Sequence, residues 1–239
     1  MAKLVSVVIP TYNESKNLPL LIPRIANAMQ KAKMPYECIV VDDNSPDRTY
    51  SIAKKLAKKY NVRTFLRPNE RGLSSAMLYG FNQAKGDIVG WIDADLQHSP
   101  ELIPDLVRAI TDEGYLAAVG SRLVRGGGVK GWALHRRFAS WIARLMAVPL
   151  TPVKDTMSGF MFIRPEVIKG VKLRTIGYKL CLEVMVRGKH NNRIKEVPYV
   201  FIHRALNKSK MTWKTNADYL RQIAFLYAYK ISRAFKKSC

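Results

Sequence analysis

The stretch that decides the fold is GDIVGWIDADLQHSPE, residues 86–101. Ile88, Val89, Trp91 and Ile92 make a short apolar run, the pattern of a strand covered on both faces. The run ends directly in Asp93 and Asp95. Two carboxylates leaving a core repel each other and must be desolvated unless something positive lies between them. An arginine or lysine meets that need, and so does a metal ion. The following PELIPDLVRAITD (100–112) has helical spacing, so the unit reads strand, acidic loop, helix.

The same unit repeats on either side. KLVSVVIPTY (3–12), YECIVVDD (36–43), NVRTFLRP (61–68) and YLAAVGSR (115–122) read as strands. The segments 14–33, 46–60 and 72–86 between them read as helices. Strands spaced by helices of this length predict βαβ units on a mostly parallel sheet. Ligands of such sheets bind outside the carboxyl ends of the strands. PTYNE, DDNSPD and DADLQ each follow a strand, so Glu14, Asp42, Asp43, Asp93 and Asp95 are expected as unpaired acidity around one crevice. A D-x-D suits Mg²⁺ or Mn²⁺, hard cations that take oxygen ligands and keep positions open for phosphate. Gln97 adds a neutral oxygen. A lone D-x-D is as readily a strand-end turn. It is the company of the other carboxylates that favours the metal.

Charge is unevenly spread over the 239 residues. Residues 1–120 carry 15 basic and 13 acidic side chains, whereas residues 121–239 carry 25 and 5. A basic excess concentrated in one half calls for a polyanionic partner: nucleic acid, an anionic membrane surface or a phosphorylated substrate. Cys38, Cys181 and Cys239 are odd in number, far apart and without C-x-x-C spacing, as expected of reduced thiols. No signal peptide and no membrane-spanning run are expected. Cys239 lacks a C-a-a-X context, so prenylation is not expected.

The second half changes character. GSRLVRGGGVKG (120–131) reads as an irregular, mobile cationic loop. In 132–148, Leu134, Phe138, Trp141, Ile142 and Leu145 form an apolar stripe at helical spacing, with Arg136, Arg137 and Arg144 elsewhere on the helix. DTMSGFMFIR (155–164) reads as a strand, YKLCLEVMVRGK (178–189) as a buried helix and RIKEVPYVFIHR (193–204) as a strand. Residues 217–239 read as a long aromatic helix tipped with Lys236 and Lys237. The cationic helices 132–147 and 215–237 suit the headgroup region of a membrane, or else pack on the core with solvated charges.

VSVVIPTYNESKNL, VVDDNSPDRT, RGLSSAMLYGF, DADLQHSPE, GSR, DTMSGF and GYKLCLEVMVRGK follow one another as in the family 2 glycosyltransferases of GT-A fold, from about Val5 to Lys210. Within that family the chain resembles the branch that loads sugars onto polyprenyl phosphates. The resemblance implies a GT-A (nucleotide-diphospho-sugar transferase) α/β fold with a mostly parallel central sheet flanked by helices. It implies a catalytic domain over 1–214, with a nucleotide-sugar half (1–120) and an acceptor half (121–214), and an amphipathic C-terminal helix over 215–239.

It also implies roles. Pro10, Tyr12 and Glu14 would line the base and ribose pocket, with Asp42 and Asp43 taking the base edge and ribose hydroxyls. Asp93, Asp95 and Gln97 would hold Mg²⁺ or Mn²⁺. Arg122, Arg136 and Ser140 would grip the acceptor phosphate, while Arg204 and Lys210 would contact the donor phosphates; Asp95, Arg122 and Arg204 form the catalytic set. The expected reaction moves mannose from GDP-mannose to dolichyl or another polyprenyl phosphate, with inversion. The expected setting is peripheral, on the cytoplasmic face of a membrane, with or without small anchoring subunits.

Where the family carries R-x-R-G-x-S-K, this chain has RALNKSK (204–210), so Leu206 and Asn207 depart from it. UDP-glucose as donor remains open. So do a non-catalytic scaffold and, from another class, a nucleic-acid-binding protein, which would leave DADLQ and DDNSPD without a role; no nucleic acid is expected.

Overall fold

The computed structural model describes residues 3–131, 134–201 and 213–238; the side chains at 134–137, 213–214 and 236–238 lie outside the description. The strands are β1 (Val5–Thr11), β2 (Tyr36–Asp42), β3 (Val62–Leu66), β4 (Ile88–Trp91), β5 (Ala117–Ser121), β6 (Gly128–Val129), β7 (Met161–Ile163), β8 (Ile194–Pro198) and β9 (Val200–Phe201). The α-helices are α1 (Leu18–Lys31), α2 (Thr49–Leu56), α3 (Leu73–Gln83), α4 (Ile103–Thr111), α5 (Leu134–Ala147), α6 (Leu180–Arg187) and α7 (Trp213–Ser238).

Seven strands form one sheet in the order β3-β2-β1-β4-β7-β5-β8. β1 to β4 pair in parallel, as do β5 and β8, and β7 runs antiparallel between β4 and β5. The expected mostly parallel α/β sheet is therefore present. The apolar runs reflect its two covered faces. On one face Val5, Val7, Ile9, Cys38 and Val40 pack with α1, α2 and α4. On the other, Val8, Ile39, Val41, Val89 and Trp91 pack with α3 and α6. α1 buries Leu18, Leu21, Ile22, Ile25 and Met29, a single stripe at helical spacing. Each such side chain is worth about 1.5–3 kcal/mol of burial.

After β3 the chain crosses to the other side of β1 to lay down β4. That reversal opens a crevice at the carboxyl ends of β1 and β4, where the β1 and β4 exit loops stand side by side.

Two segments differ from the sequence expectation. The 120–131 loop contains β6, which pairs in parallel with β9, so part of it is ordered by a partner about 70 residues away. The 155–164 strand shrinks to Met161–Ile163 because Asp155, Ser158 and Gly159 form a turn, in which the Ser158 N–H donates to the Asp155 carbonyl at 3.2 Å.

α5, α6 and α7 share a third apolar cluster built on Ala147, Leu150, Leu182, Tyr219, Ile223 and Leu226. The Tyr219 and Tyr227 hydroxyls donate to the carbonyls of Ala143 (2.5 Å) and Met146 (3.0 Å). The 215–237 helix thus packs on the core along one side. Its Leu220, Ile231 and Phe235 stay exposed, as do Phe138, Trp141, Ile142 and Leu145 of α5. Among the described residues no helix is long and apolar enough to cross a membrane.

Gly90 lets β4 lie against Phe162 of β7: a Cβ there would come within 2.3 Å of the ring. Gly90→Ala is expected to lower the unfolding free energy by about 1–3 kcal/mol through overpacking. Gly128→Ala, whose Cβ would meet nothing within 4 Å, should be near neutral. Urea unfolding of the pair tests this, with the difference in midpoints as the readout.

Candidate active site

At the end of β1 the chain turns through Asn13, whose φ of 58° is left-handed, and sends Glu14 inward. Glu14 accepts from the Asn17 amide at 2.5 Å. Pro10 is buried in β1, and Tyr12 stands half-buried with the Arg71 guanidinium 4.8 Å from its ring centroid. This part of the crevice has an aromatic floor with a cation over it.

The β2 carboxylates are not unpaired, as the sequence reading had expected. Asp42 is fully buried and accepts from the Thr11 hydroxyl (3.0 Å) and from the Ser45 hydroxyl (2.6 Å) and backbone N–H (2.9 Å). Asp43 is ion-paired with Arg67 at 2.6 Å and also accepts from the Gly72 N–H at 2.9 Å. Asp43 is offset by a cation and Asp42 is satisfied by hydrogen bonds, because a buried carboxylate demands partners. Arg67, the cation responsible, stands in NVRTFLRP and was not singled out from sequence.

At the β4 exit the three D-A-D-L-Q side chains differ in exposure. Asp93 keeps a third of its side chain open, whereas Asp95 and Gln97 are buried. The Gln97 N–H donates to Asp95 Oδ1 at 3.1 Å, and Leu96 between them has a φ of 64°. A leucine held there costs on the order of 1–2 kcal/mol, strain that shapes the loop. His98 Nε2 lies 3.6 Å from Asp93 Oδ2, its ring packed among Phe160, Tyr199 and Phe201. Gly159 borders the same carboxylate: a Cβ there would sit 3.7 Å from Asp93 Oδ2.

Across from Asp93 stands a cationic group. Arg122, directly after β5, grips Asp155 with Nε at 2.8 Å and Nη2 at 2.7 Å, and its backbone N–H donates to the same carboxylate at 2.9 Å. Both side chains are buried. Burial alone would push the Asp155 carboxyl up, but the Arg122 hydrogen bonds and charge together hold it below the ordinary range. Lys179, immediately before α6, donates to the Met157 carbonyl at 2.6 Å. Burial and then the Arg122 charge push its ammonium down to about 8, with Asp155 and Asp93 pulling the other way. Asp155, Lys179 and His98 carry no local sequence signal of a site role, since each gains it from partners distant in the chain.

The structure therefore gathers Asp93, His98, Arg122, Asp155 and Lys179 into one neighbourhood, with Asp95 and Gln97 behind Asp93. Arg122, read as a phosphate grip, is already engaged by Asp155. Arg136 and Ser140 lie four residues apart on α5, Ser140 half-buried; the Arg136 side chain is outside the description. Arg204 and Lys210 lie outside the described residues. Asp93, Asp95 and the Gln97 amide are hard oxygen donors that suit Mg²⁺ or Mn²⁺, cations bound through one or two carboxylates with the rest of the shell left to water and phosphate. Among the described residues no group of three or more His, Cys, Asp or Glu forms a cage, so such an ion would share its shell with a ligand.

The profile of Glycosyl transferase family 2 matches residues 6–171. A protein named dolichol-phosphate mannosyltransferase from Pyrococcus furiosus is 46% identical over 223 residues, 92% of this chain and 62% of its own length. One of the same name from Saccharomyces cerevisiae is 39% identical over 236 residues, 94% of this chain and 87% of its own. Among solved structures, a Pyrobaculum calidifontis mannosyltransferase in complex with GDP-Man and Mn²⁺ superposes with a TM-score of 0.63 at 21% identity, covering 96% of this chain and 65% of that one. The Mycobacterium tuberculosis glucosyl-3-phosphoglycerate synthase gives 0.66 at 20%, covering 94% and 79%. At such identities the likeness is one of fold.

Two outcomes follow from the cationic group. Asp155→Ala strands a buried guanidinium and is expected to cost about 3–5 kcal/mol in urea unfolding, part of it recovered by adding Arg122→Met. Lys179 binds its proton less tightly folded than unfolded, so its destabilising effect is full below pH 8 and is relieved as pH rises towards its unfolded value of about 10.4. The stability of Lys179→Met relative to wild type should therefore decline between pH 8 and pH 10, measured by urea midpoints at both.

Proposed function

The chain belongs to glycosyl transferase family 2, and from that premise we propose that it transfers mannose from GDP-mannose to dolichyl or another polyprenyl phosphate. The observation that carries this reading is the part-exposed Asp93 carboxylate within electrostatic reach of Lys179, whose ammonium also feels the Arg122–Asp155 pair. The activity named for the relatives supports the choice of donor and acceptor.

A phosphate acceptor is already anionic near neutral pH, so it needs no strong general base. It does need cations, because at contact distance it and the donor diphosphate repel by several kcal/mol in a partly desolvated site. Pro10, Tyr12 and Glu14 line the base and ribose side, with Arg71 over the Tyr12 ring and Asp42 and Asp43 behind. Asp93, Asp95 and Gln97 would hold a divalent Mg²⁺ or Mn²⁺ ion, which when bound would offset the charge of the leaving diphosphate. Arg122, held in place by Asp155, presents a fixed positive charge rather than a swinging arm. Lys179 adds a charge that is only part-protonated near pH 8 without a ligand, and a phosphate beside it draws the proton back. As the family resemblance implies, Arg136 and Ser140 would serve the acceptor phosphate, and Arg204 and Lys210 the donor phosphates.

The acceptor phosphate attacks the anomeric carbon opposite the departing diphosphate, so a single displacement inverts that centre. Such an acceptor keeps the protein peripheral at a membrane, on its cytoplasmic face.

The test is transfer of radiolabelled mannose from GDP-mannose into organic-extractable product, with dolichyl phosphate and Mn²⁺ supplied. Label is expected with wild type and is lost on chelation and in Asp93→Ala. Transfer from UDP-glucose alone would overturn the donor assignment. No label from either donor into any polyprenyl phosphate, in folded protein, would overturn the reaction.

A further inference from the structure

α6 begins directly after Lys179, beside the catalytic crevice, and runs eight residues to Arg187, about 12 Å away. At that far end lies a separate depression of about 1210 Å³, walled by the 149–152 and 170–172 segments, the end of α6 and the last turns of α7. Its cations are Lys172, Arg187, Lys189, Lys230 and Arg233, and among the described residues no carboxylate lines it. Arg187 is paired with Glu183 of its own helix. The other four are exposed and make no ion pair among the described residues. Lys189 and Lys230 each donate to one backbone carbonyl, of Lys169 at 2.8 Å and of Pro149 at 3.0 Å, which leaves each ammonium two more donors. Four uncompensated cations held within one concavity raise the local potential and lower the energy of an anion placed there.

We propose that this groove binds the phosphate headgroups of anionic phospholipids and holds the protein on a bilayer at a place separate from the catalytic crevice. Among the cations, Pro149, Pro152 and Val171 add apolar surface, which suits the glycerol and upper acyl carbons next to a headgroup, while Thr151, Asn191 and Asn192 keep the rest of the lining polar. Its lip continues through the exposed Val148 into α5, whose Phe138, Trp141, Ile142 and Leu145 are also exposed. Exposed aromatic and aliphatic side chains beside lysines and arginines make a membrane-interface composition. Single-stranded nucleic acid would need open aromatic platforms for its bases. The aromatic ring here, Tyr229, has the Arg187 guanidinium 4.9 Å from its centroid. The proposal rests on the lipid acceptor proposed above only for the nearness of a bilayer.

The experiment is vesicle co-sedimentation of the full chain at 0.1 M salt without donor or acceptor, on phosphatidylglycerol–phosphatidylcholine and on pure phosphatidylcholine vesicles. The groove variant carries Lys172→Gln, Lys189→Gln, Lys230→Gln and Arg233→Gln. A control makes the same charge change on α2 and the residues after it, with Lys54, Lys55, Lys58 and Lys59 each changed to Gln. All eight side chains are exposed, so thermal melts should match wild type. A cation near an anionic surface contributes about 1 kcal/mol, so the groove variant should lose at least about a hundredfold in partitioning onto anionic vesicles while the control loses less than about threefold.

Equal losses in both variants would overturn the proposal in favour of net charge alone. Tight calorimetric binding of free glycerol 3-phosphate, with no gain from vesicles, would overturn the lipid assignment. So would retained vesicle binding with lost oligonucleotide binding in the groove variant. Asp93→Ala run alongside should bind vesicles like wild type, so failure of the groove and failure of the transfer reaction remain distinct results.

Discussion

The ion pair between Arg122 and Asp155 is the constraint on which the functional end depends. It joins the exit of β5 to the turn that precedes β7, two segments 33 residues apart in sequence. Three hydrogen bonds, two from the guanidinium and one from the backbone, fix the turn relative to the sheet. Through that turn Gly159 is brought against Asp93 and the Met157 carbonyl against the Lys179 ammonium. Glu196 of β8 completes the frame, accepting from the backbone N–H groups of Lys154 and Asp155. A buried pair of this kind contributes little net stability after its desolvation cost. Its effect lies in geometry, since a fixed guanidinium and a fixed loop preorganise a site in which charge must be placed to within fractions of an ångström.

The same economy of charge explains why the acidic residues are so unequal. Asp42 is hydrogen-bonded into the turn after β2 and Asp43 is paired with Arg67, so the donor side is built from carboxylates the fold has already engaged. Asp93 alone of the three β4-exit side chains keeps a third of its surface open. A part-exposed carboxylate within electrostatic reach of Lys179 makes a site with charges of both signs within reach of one ligand. A nucleotide sugar needs that arrangement if an anionic acceptor is to approach it.

Much of this was legible in the sequence because it rests on local periodicity. The apolar runs, the helical stripes of α1 and α4 and the position of D-A-D-L-Q at a strand exit are properties of short windows. Long-range pairing was not legible. Nothing near NVRTFLRP says that Arg67 will cancel Asp43, and nothing near GSR says that Arg122 will be held by Asp155. The 155–159 turn was absorbed into a strand because Met157, Phe160 and Phe162 look like strand residues, although Asp155, Ser158 and Gly159 are turn formers. Lys179 was hidden for a related reason. Its depressed pKa comes from burial and a neighbouring guanidinium, both tertiary properties, and in a one-dimensional reading it is one lysine among many.

The division of charge between the two halves then has a physical reading. Among the described residues, the basic side chains of the second half gather at more than one place. Arg122 and Lys179 stand at the crevice, while Lys172, Lys189, Lys230 and Arg233 surround the depression at the other end of α6. A single helix of eight residues, about 12 Å long, separates the two, more than the Debye length of about 8 Å in physiological salt, so the exposed cations of the depression act largely apart from the crevice. Cations gathered at one place attract one anion; cations at two places joined by a rigid helix can hold a surface at one end and a soluble anion at the other. The buried flank of α6, with Leu180, Cys181, Val184 and Met185 packed against the sheet, is what keeps those two ends at a fixed separation.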